Sequence, residues 1–231
     1  MVDTTDITIA DQRTGTIAAV VVDDQELMRQ GLVDLLSGIE DLVVTGTAAT
    51  AEEAVPLVER TAPDLVLLEA RLPEGAGIAT CRELRSARPG LRCVLLTAFD
   101  DEEALLASVL AGAAGYVVME IGGTSVVDGV RTVGRGFSLL DPRRTEDLLS
   151  RLQQVAHGTV SSSLTGQELQ VLELVLDGRT DSEVAAKLSL APHSVQVGVA
   201  SIFAKLGSRQ RTGLAESAGA GRPLSAVSAA G

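Results

Sequence analysis

Three carboxylates stand at the ends of two apolar runs. IAAVVV, residues 17 to 22, leads into Asp23 and Asp24, and DLVLLE, residues 64 to 69, closes on Glu69 just before the Pro/Gly-rich loop ARLPEG. Acids that share a corner raise one another's pKa unless a cation neutralises them, and an all-oxygen set suits a divalent ion, Mg²⁺ by default. A hydroxyl, Thr97, ends a further run, LRCVLLT, while GYVVM brings Tyr116 and, at its tip, Met119. In an open parallel sheet, ligands bind outside the carboxyl ends of the strands where the strand order reverses. If these runs are such strands, all six residues lie along one edge.

The pattern between the runs supports that arrangement. Short β-branched stretches (17–22, 42–46, 64–69, 91–97 and 115–119) alternate with helical patterns such as DQELMRQGLVDLLSG and DEEALLASVLAGA. Strands that read as continuously apolar are covered on both faces, so the first part of the chain is expected to be a doubly wound, five-stranded parallel sheet of flavodoxin-like order 2-1-3-4-5 over residues 16–136. Residues 137–160 read as a linker with one helix, Thr145 to Val155. From 161 to 217 the pattern is purely helical. Thr165, Thr180 and Ser208 stand where caps belong and Gly178 and Gly207 where helices close, which makes four short helices in a helix-turn-helix unit. The tail, 218–231, lacks bulky apolar residues and is expected to be disordered.

Composition narrows the function classes. The 231 residues are 45% apolar and 22% charged, with a net charge of -12. From Val160 onward six acids balance six bases, so the whole acidic excess belongs to the first domain. The two domains are thus expected to have different tasks. No stretch approaches the roughly 18 uninterrupted apolar residues of a membrane span, and the N-terminus MVDTTDITIADQRTG is acidic and polar where a secretory signal is basic and then apolar. A cytoplasmic protein is expected. Cys81 and Cys93 sit in apolar patterns without metal-like spacing and read as reduced core thiols. No P-loop, GxSxG elbow or HExxH is present, and no enzyme activity is expected.

With these motifs in view, the chain resembles a response regulator of the NarL/FixJ type: a phosphoryl-accepting receiver followed by a LuxR-like helix-turn-helix. The stretches VDDQELMRQGLVDLL, RLPEGAGIATCREL, LRCVLLT and AGAAGYVVMEI are most similar to the DevR/DosR dormancy-regulator subgroup. The resemblance implies that Asp23 and Asp24 are the Mg²⁺-holding acid pair, Thr97 the switch hydroxyl and Tyr116 the switch aromatic. It also exposes two departures. The acceptor aspartate is replaced by Glu69, and the phosphate-binding lysine by Met119.

Both departures point the same way. Phosphoryl transfer depends on positioning and electrostatics, and one added methylene displaces the carboxylate by about 1 Å, enough to slow such a step by about 100-fold. Methionine donates no hydrogen bond and carries no charge. Three readings of Glu69 stay open: a constitutive mimic of the phosphorylated state, a residue of a purely structural domain, and a residual acceptor.

The second domain keeps the family frame at Leu164, Thr165, Glu168, Val171, Leu172, Leu174, Gly178, Glu183, Val184, Ala185, Leu188, Val195, Ile202, Lys205, Leu206 and Gly207. Its third helix is expected in the major groove of duplex DNA, with His193, Ser194, Gln196, Val197, Ser201, Lys205, Arg209 and Arg211 as the candidate contacts. Gln196 and Gly198 stand where the family pattern has Lys and His or Tyr. With zero net charge on the domain, the electrostatic share of binding is expected to be small. The expected partners are DNA and a second copy or a related regulator, with a sensor kinase in doubt because the acceptor is altered. The alternative is a protein-interaction module that pairs with or titrates an intact regulator.

Overall fold

The computed structural model describes residues 15–73, 76–97, 102–119 and 123–219, the side chains of Thr124 and of residues 208–219 excepted. Five parallel strands, β1 (Ile17–Val22), β2 (Leu42–Ala48), β3 (Leu65–Glu69), β4 (Arg92–Thr97) and β5 (Gly115–Val118), form one sheet of order β2-β1-β3-β4-β5. Helices α1 (Glu26–Ser37), α2 (Ala51–Thr61), α3 (Ala76–Ala87), α4 (Glu102–Ala111) and α5 (Thr124–Gly134) fill the crossovers. The central strands β1, β3 and β4 bury both of their sides, as a doubly covered parallel sheet requires, whereas the edge strand β2 leaves Val43, Thr45 and Thr47 exposed. Ala19, Val21, Leu65, Leu67, Val94 and Leu96 face Leu32, Leu36, Val126 and Val130 of α1 and α5. Val20, Val22, Val66, Leu68 and Leu95 face the apolar residues of α2, α3 and α4.

The linker helix α6 spans Pro142–Ala156, one turn longer than the Thr145–Val155 read from its apolar period. The start is set by a cap rather than by the period. Asp141 accepts the amides of Arg143 and Arg144, and Pro142 supplies a preset φ at the first helical position.

Helices α7 (Gly166–Leu176), α8 (Asp181–Leu188) and α9 (Pro192–Gly219) complete the chain. Thr165 and Thr180 each close a reciprocal capping box, with Glu168 and Glu183 respectively. The expected fourth helix is not separate, because α9 runs unbroken through Gly207 to Gly219. Gly207 serves packing instead of termination: a Cβ there would come within 3.3 Å of Glu103 Cγ on α4. The residues beyond 219 in the expected tail lie outside those described.

Helix α4 joins the two domains. Its inner run Ala104–Ser108 and the following Leu110 and Ala111 are buried on every side. A helix apolar all round needs partners on all of its faces. The sheet covers one side, and α9 and α6 cover the other. The apolar cluster beneath α2, α3 and α4 therefore continues without a gap into Leu148, Leu152, Leu172, Val184, Val195 and Ile202.

One position in α9 is weaker than its surroundings require. Gly198 lies mid-helix, and a Cβ there would sit 3.9 Å from the methyls of Val171, an ordinary contact. We expect Gly198→Ala to raise stability by roughly 0.5–1 kcal/mol, read as a rightward shift of the urea transition with unchanged slope.

Candidate functional site

The carboxyl edge of the sheet gathers the acids. Asp23 follows β1 and is buried, its amide bonded to the Ala48 carbonyl at the end of β2. Asp24 is exposed, and Glu69, at the tip of β3 beside Leu96 of β4, is buried. Gly77 makes this corner tight: a Cβ there would collide with the carbonyl oxygens of Glu69 and Ala70, so α3 can begin directly behind the strand end only with glycine.

Both buried acids turn an oxygen back onto their own loop. Asp23 Oδ1 accepts the Gln25 amide at 2.8 Å, and Glu69 Oε1 accepts the Arg71 amide at 2.8 Å. Burial pushes the Asp23 carboxyl up, and Asp24 adds to the rise, while the Gln25 amide and the Arg29 guanidinium oppose it. Burial likewise pushes Glu69 up, with Asp23 and Asp24 adding and Arg71 opposing through its amide and its charge. The three carboxylates thus sense one another. Among the described residues, however, no group of three or more His, Cys, Asp or Glu is gathered closely enough to hold a metal ion.

Thr97 is buried at the end of β4, and its carbonyl accepts the Met119 amide at 2.8 Å. Tyr116 is half-buried and packs on the α2–α4 side of the sheet. Met119 is half-buried and packs against the opposite apolar cluster, beneath α1 and α5. Its thioether carries no charge and donates no hydrogen bond.

Arg29, Arg71 and Glu103 were not singled out by sequence. Arg29 Nη1 donates to the Asp23 carbonyl at 2.6 Å, and Arg71 Nη2 lies 3.9 Å from Glu103 Oε1, whose side chain borders Gly207. No local spacing marks them. Each becomes visible only once the loops are placed.

On α9, Val195, Val199 and Ile202 point into the helical core, whereas His193, Ser194 and Val197 are exposed and Gln196 is half-buried. Two candidate DNA contacts are engaged elsewhere. Ser201 Oγ donates to Glu168 Oε1 at 2.7 Å, and Lys205 Nζ donates to both oxygens of Glu168 at 2.6 and 2.7 Å. Burial raises the Glu168 carboxyl, but Lys205, the Thr165 amide and Ser201 outweigh it and bring the pKa down to about 2. The side chains of Arg209 and Arg211 lie outside the described residues.

With this geometry established, comparison with known proteins places the chain. Residues 19–130 match the response regulator receiver domain, and residues 162–218 match the bacterial regulatory proteins of the luxR family. DevR/DosR of Mycobacterium tuberculosis, a DNA-binding transcriptional activator, is 42% identical over 85% of this chain and 91% of its own. The chain belongs to the LuxR-type response regulators. The response regulator GacA of Pseudomonas aeruginosa is 30% identical over 82% of this chain and 89% of its own. The crystal structure of a LuxR-family two-component response regulator from Aurantimonas sp. SI85-9A1 superposes with a TM-score of 0.52 at 26% identity, covering 59% of this chain and 98% of that one. This response regulator thus has the receiver and helix-turn-helix expected from its sequence. Among the described residues no helix is long and apolar enough to cross a membrane.

Glu69 and Glu168, shifted in opposite senses, should respond to pH in opposite directions. A carboxyl whose pKa is higher folded than unfolded weakens the fold where it is ionised, and this penalty disappears as pH falls through the folded pKa towards the unfolded one. Glu69→Gln should therefore raise the Tm at neutral pH, with the gain shrinking on acidification. Glu168, with a folded pKa of about 2, contributes stability that is fully present above the ordinary carboxylate range and lost as pH falls towards 2. Glu168→Gln should lower stability at pH 7 by roughly 1–3 kcal/mol, and chemical denaturation across pH 2 to 7 should show that difference closing on acidification.

Proposed function

We propose that this response regulator acts as a DNA-binding transcription regulator whose activity does not depend on phosphorylation of its receiver. One observation carries this reading: Glu69 is tied back to the Arg71 amide, while the half-buried Met119 packs against the apolar cluster under α1 and α5. Transfer to a carboxylate needs an oxygen in line with the donor phosphorus and a positive charge for the transferred group. Neither residue is suited to its part. Of the three readings of Glu69, its bond to its own loop favours a structural residue over a mimic reaching for Thr97.

Asp23, Asp24 and Glu69 are the residues that would hold Mg²⁺. The bonding of Asp23 and Glu69 to backbone amides makes a poor cage for an ion that demands near-ideal octahedral geometry, and the proposed activity needs no metal. The protein acts in the cytoplasm on duplex DNA. His193, Ser194, Gln196 and Val197 face the major groove and Ser201, Lys205, Arg209 and Arg211 lie nearer the phosphates, in a homodimer or a heterodimer with a related regulator. Lys205 and Ser201 already serve Glu168, so phosphate attraction is modest and binding is weak for the class.

Incubation with acetyl phosphate and Mg²⁺ should leave the intact mass unchanged; a hydroxylamine-labile gain of about 80 Da, the mass of one added phosphoryl group, would overturn phosphorylation independence. Glu69→Asp combined with Met119→Lys should restore uptake. Selection of genomic fragments at about 50 mM salt, where phosphate contacts are strongest, should enrich one sequence motif. Recovery of no motif together with a stoichiometric related regulator would favour the interaction module instead.

A further inference from the structure

The buried side of α9 fixes which residues the helix turns outward. Val195, Val199 and Ile202, at helical spacing, are almost wholly buried in the helix-turn-helix core. Half a turn round from them lie His193, Val197, Ala200 and Ala204; Ala200 is half-buried and the other three are exposed. Val197 stands near the middle of that face, in the second turn of the helix, and is 54% exposed. Gln196 and Ser201 flank it.

This outward face holds no lysine or arginine. The single such residue between 192 and 207 is Lys205, which donates to both oxygens of Glu168, and the Ser201 hydroxyl donates to Glu168 as well. What a face of this kind recognises follows from the chemistry of base edges. In the major groove guanine shows two acceptors and is read by a bidentate arginine or lysine, adenine is read by a bidentate amide, and thymine shows a C5-methyl that is read by apolar contact. The residues that meet bases are those in the first turns of the second helix. In α9 these turns supply one amide, Gln196, and the branched methyls of Val197, with no bidentate cation for guanine. His193, one turn earlier, can donate to a base or to a phosphate and so favours neither pair.

We propose that Val197 is the specificity-determining residue of this domain: its methyls pack on the C5-methyl of one thymine in the major groove, while Gln196 takes an adenine, so that the sequence read centres on A·T pairs. This names the ligand of the DNA-binding function proposed above and rests on it. An apolar contact displaces no counterion, so it discriminates equally at every salt concentration, whereas total affinity weakens with salt through the phosphates.

Uracil pairs as thymine does and differs only in lacking the methyl, so replacing each thymine of the selected motif in turn by deoxyuridine isolates the contact. With the full-length protein, fluorescence anisotropy should show one position at which uracil weakens binding about four-fold, the worth of one buried methyl. That ratio should be the same at about 50 and about 150 mM salt. Full-length Val197→Ser, its fold verified by circular dichroism, should bind the thymine and uracil duplexes equally at that position; the scan of the unaltered protein decides the matter if serine is not tolerated. Indifference to uracil at every thymine, undiminished discrimination by Val197→Ser, or a selected motif with G·C pairs at its centre would overturn the inference and leave DNA binding intact, as would binding without any sequence preference. If no motif is recovered and a random duplex is not bound either, the DNA-binding function fails and this inference fails with it.

Discussion

Helix α4 has no face that belongs to water, and the arrangement of both domains follows from that. Leu105, Leu106 and Leu110 cannot all point at the sheet, because a helix turns through every direction in fewer than four residues. The apolar surface left over after the sheet is covered must meet another apolar surface, and α9 with α6 provides it. At roughly 25 cal/mol per Å² of apolar area removed from water, such a seam outweighs the surface ion pairs around it. Arg151–Glu102 and Arg71–Glu103, with their arginines more than half exposed, decorate the joint without holding it.

Apolar contact alone does not select one orientation. Directional bonds do, and the joint has a buried set centred on Arg82. A lysine could not reproduce it, since an ammonium cannot direct separate nitrogens in a planar fork towards a carboxylate and two carbonyls. The same division of labour recurs inside the helix-turn-helix. There Val195, Val199 and Ile202 supply burial, and Glu168, bonded to Lys205, Ser201 and the Thr165 amide, aligns α7 with α9.

At the carboxyl edge of the sheet the acids are engaged by the protein's own backbone. Asp23 and Glu69 accept loop amides, and the half-buried Met119 packs against the core. Burial pushes both buried carboxyls up, and the neighbouring acids add to the rise. The loop amides of Gln25 and Arg71 oppose it.

Much of this was legible in the residues themselves. Period-two and continuous apolar runs are local signals, so the strands, their order of use and the acids at their ends could be read directly, as could Thr165 and Thr180 as caps. The run ALLASVLA, apolar around the whole helix, requires a second partner for α4, and only the folded chain shows that α9 and α6 supply it. The start of α6 is also written locally, in Asp141 and Pro142, which begin the helix a turn before the apolar period that starts near Thr145. The continuity of α9 was not local in this way: Gly207 reads as a stop until Glu103 of α4 is seen to need its bare backbone. Chain chemistry by itself determined the two folds and put Glu69 and Met119 at the ends of their strands, because those depend on residue type and short-range spacing. Only the tertiary structure decided that Arg82 finds Asp181 across 99 residues and that Glu69 turns to Arg71, because the direction of a side chain is settled by whatever the packed elements leave within reach of it.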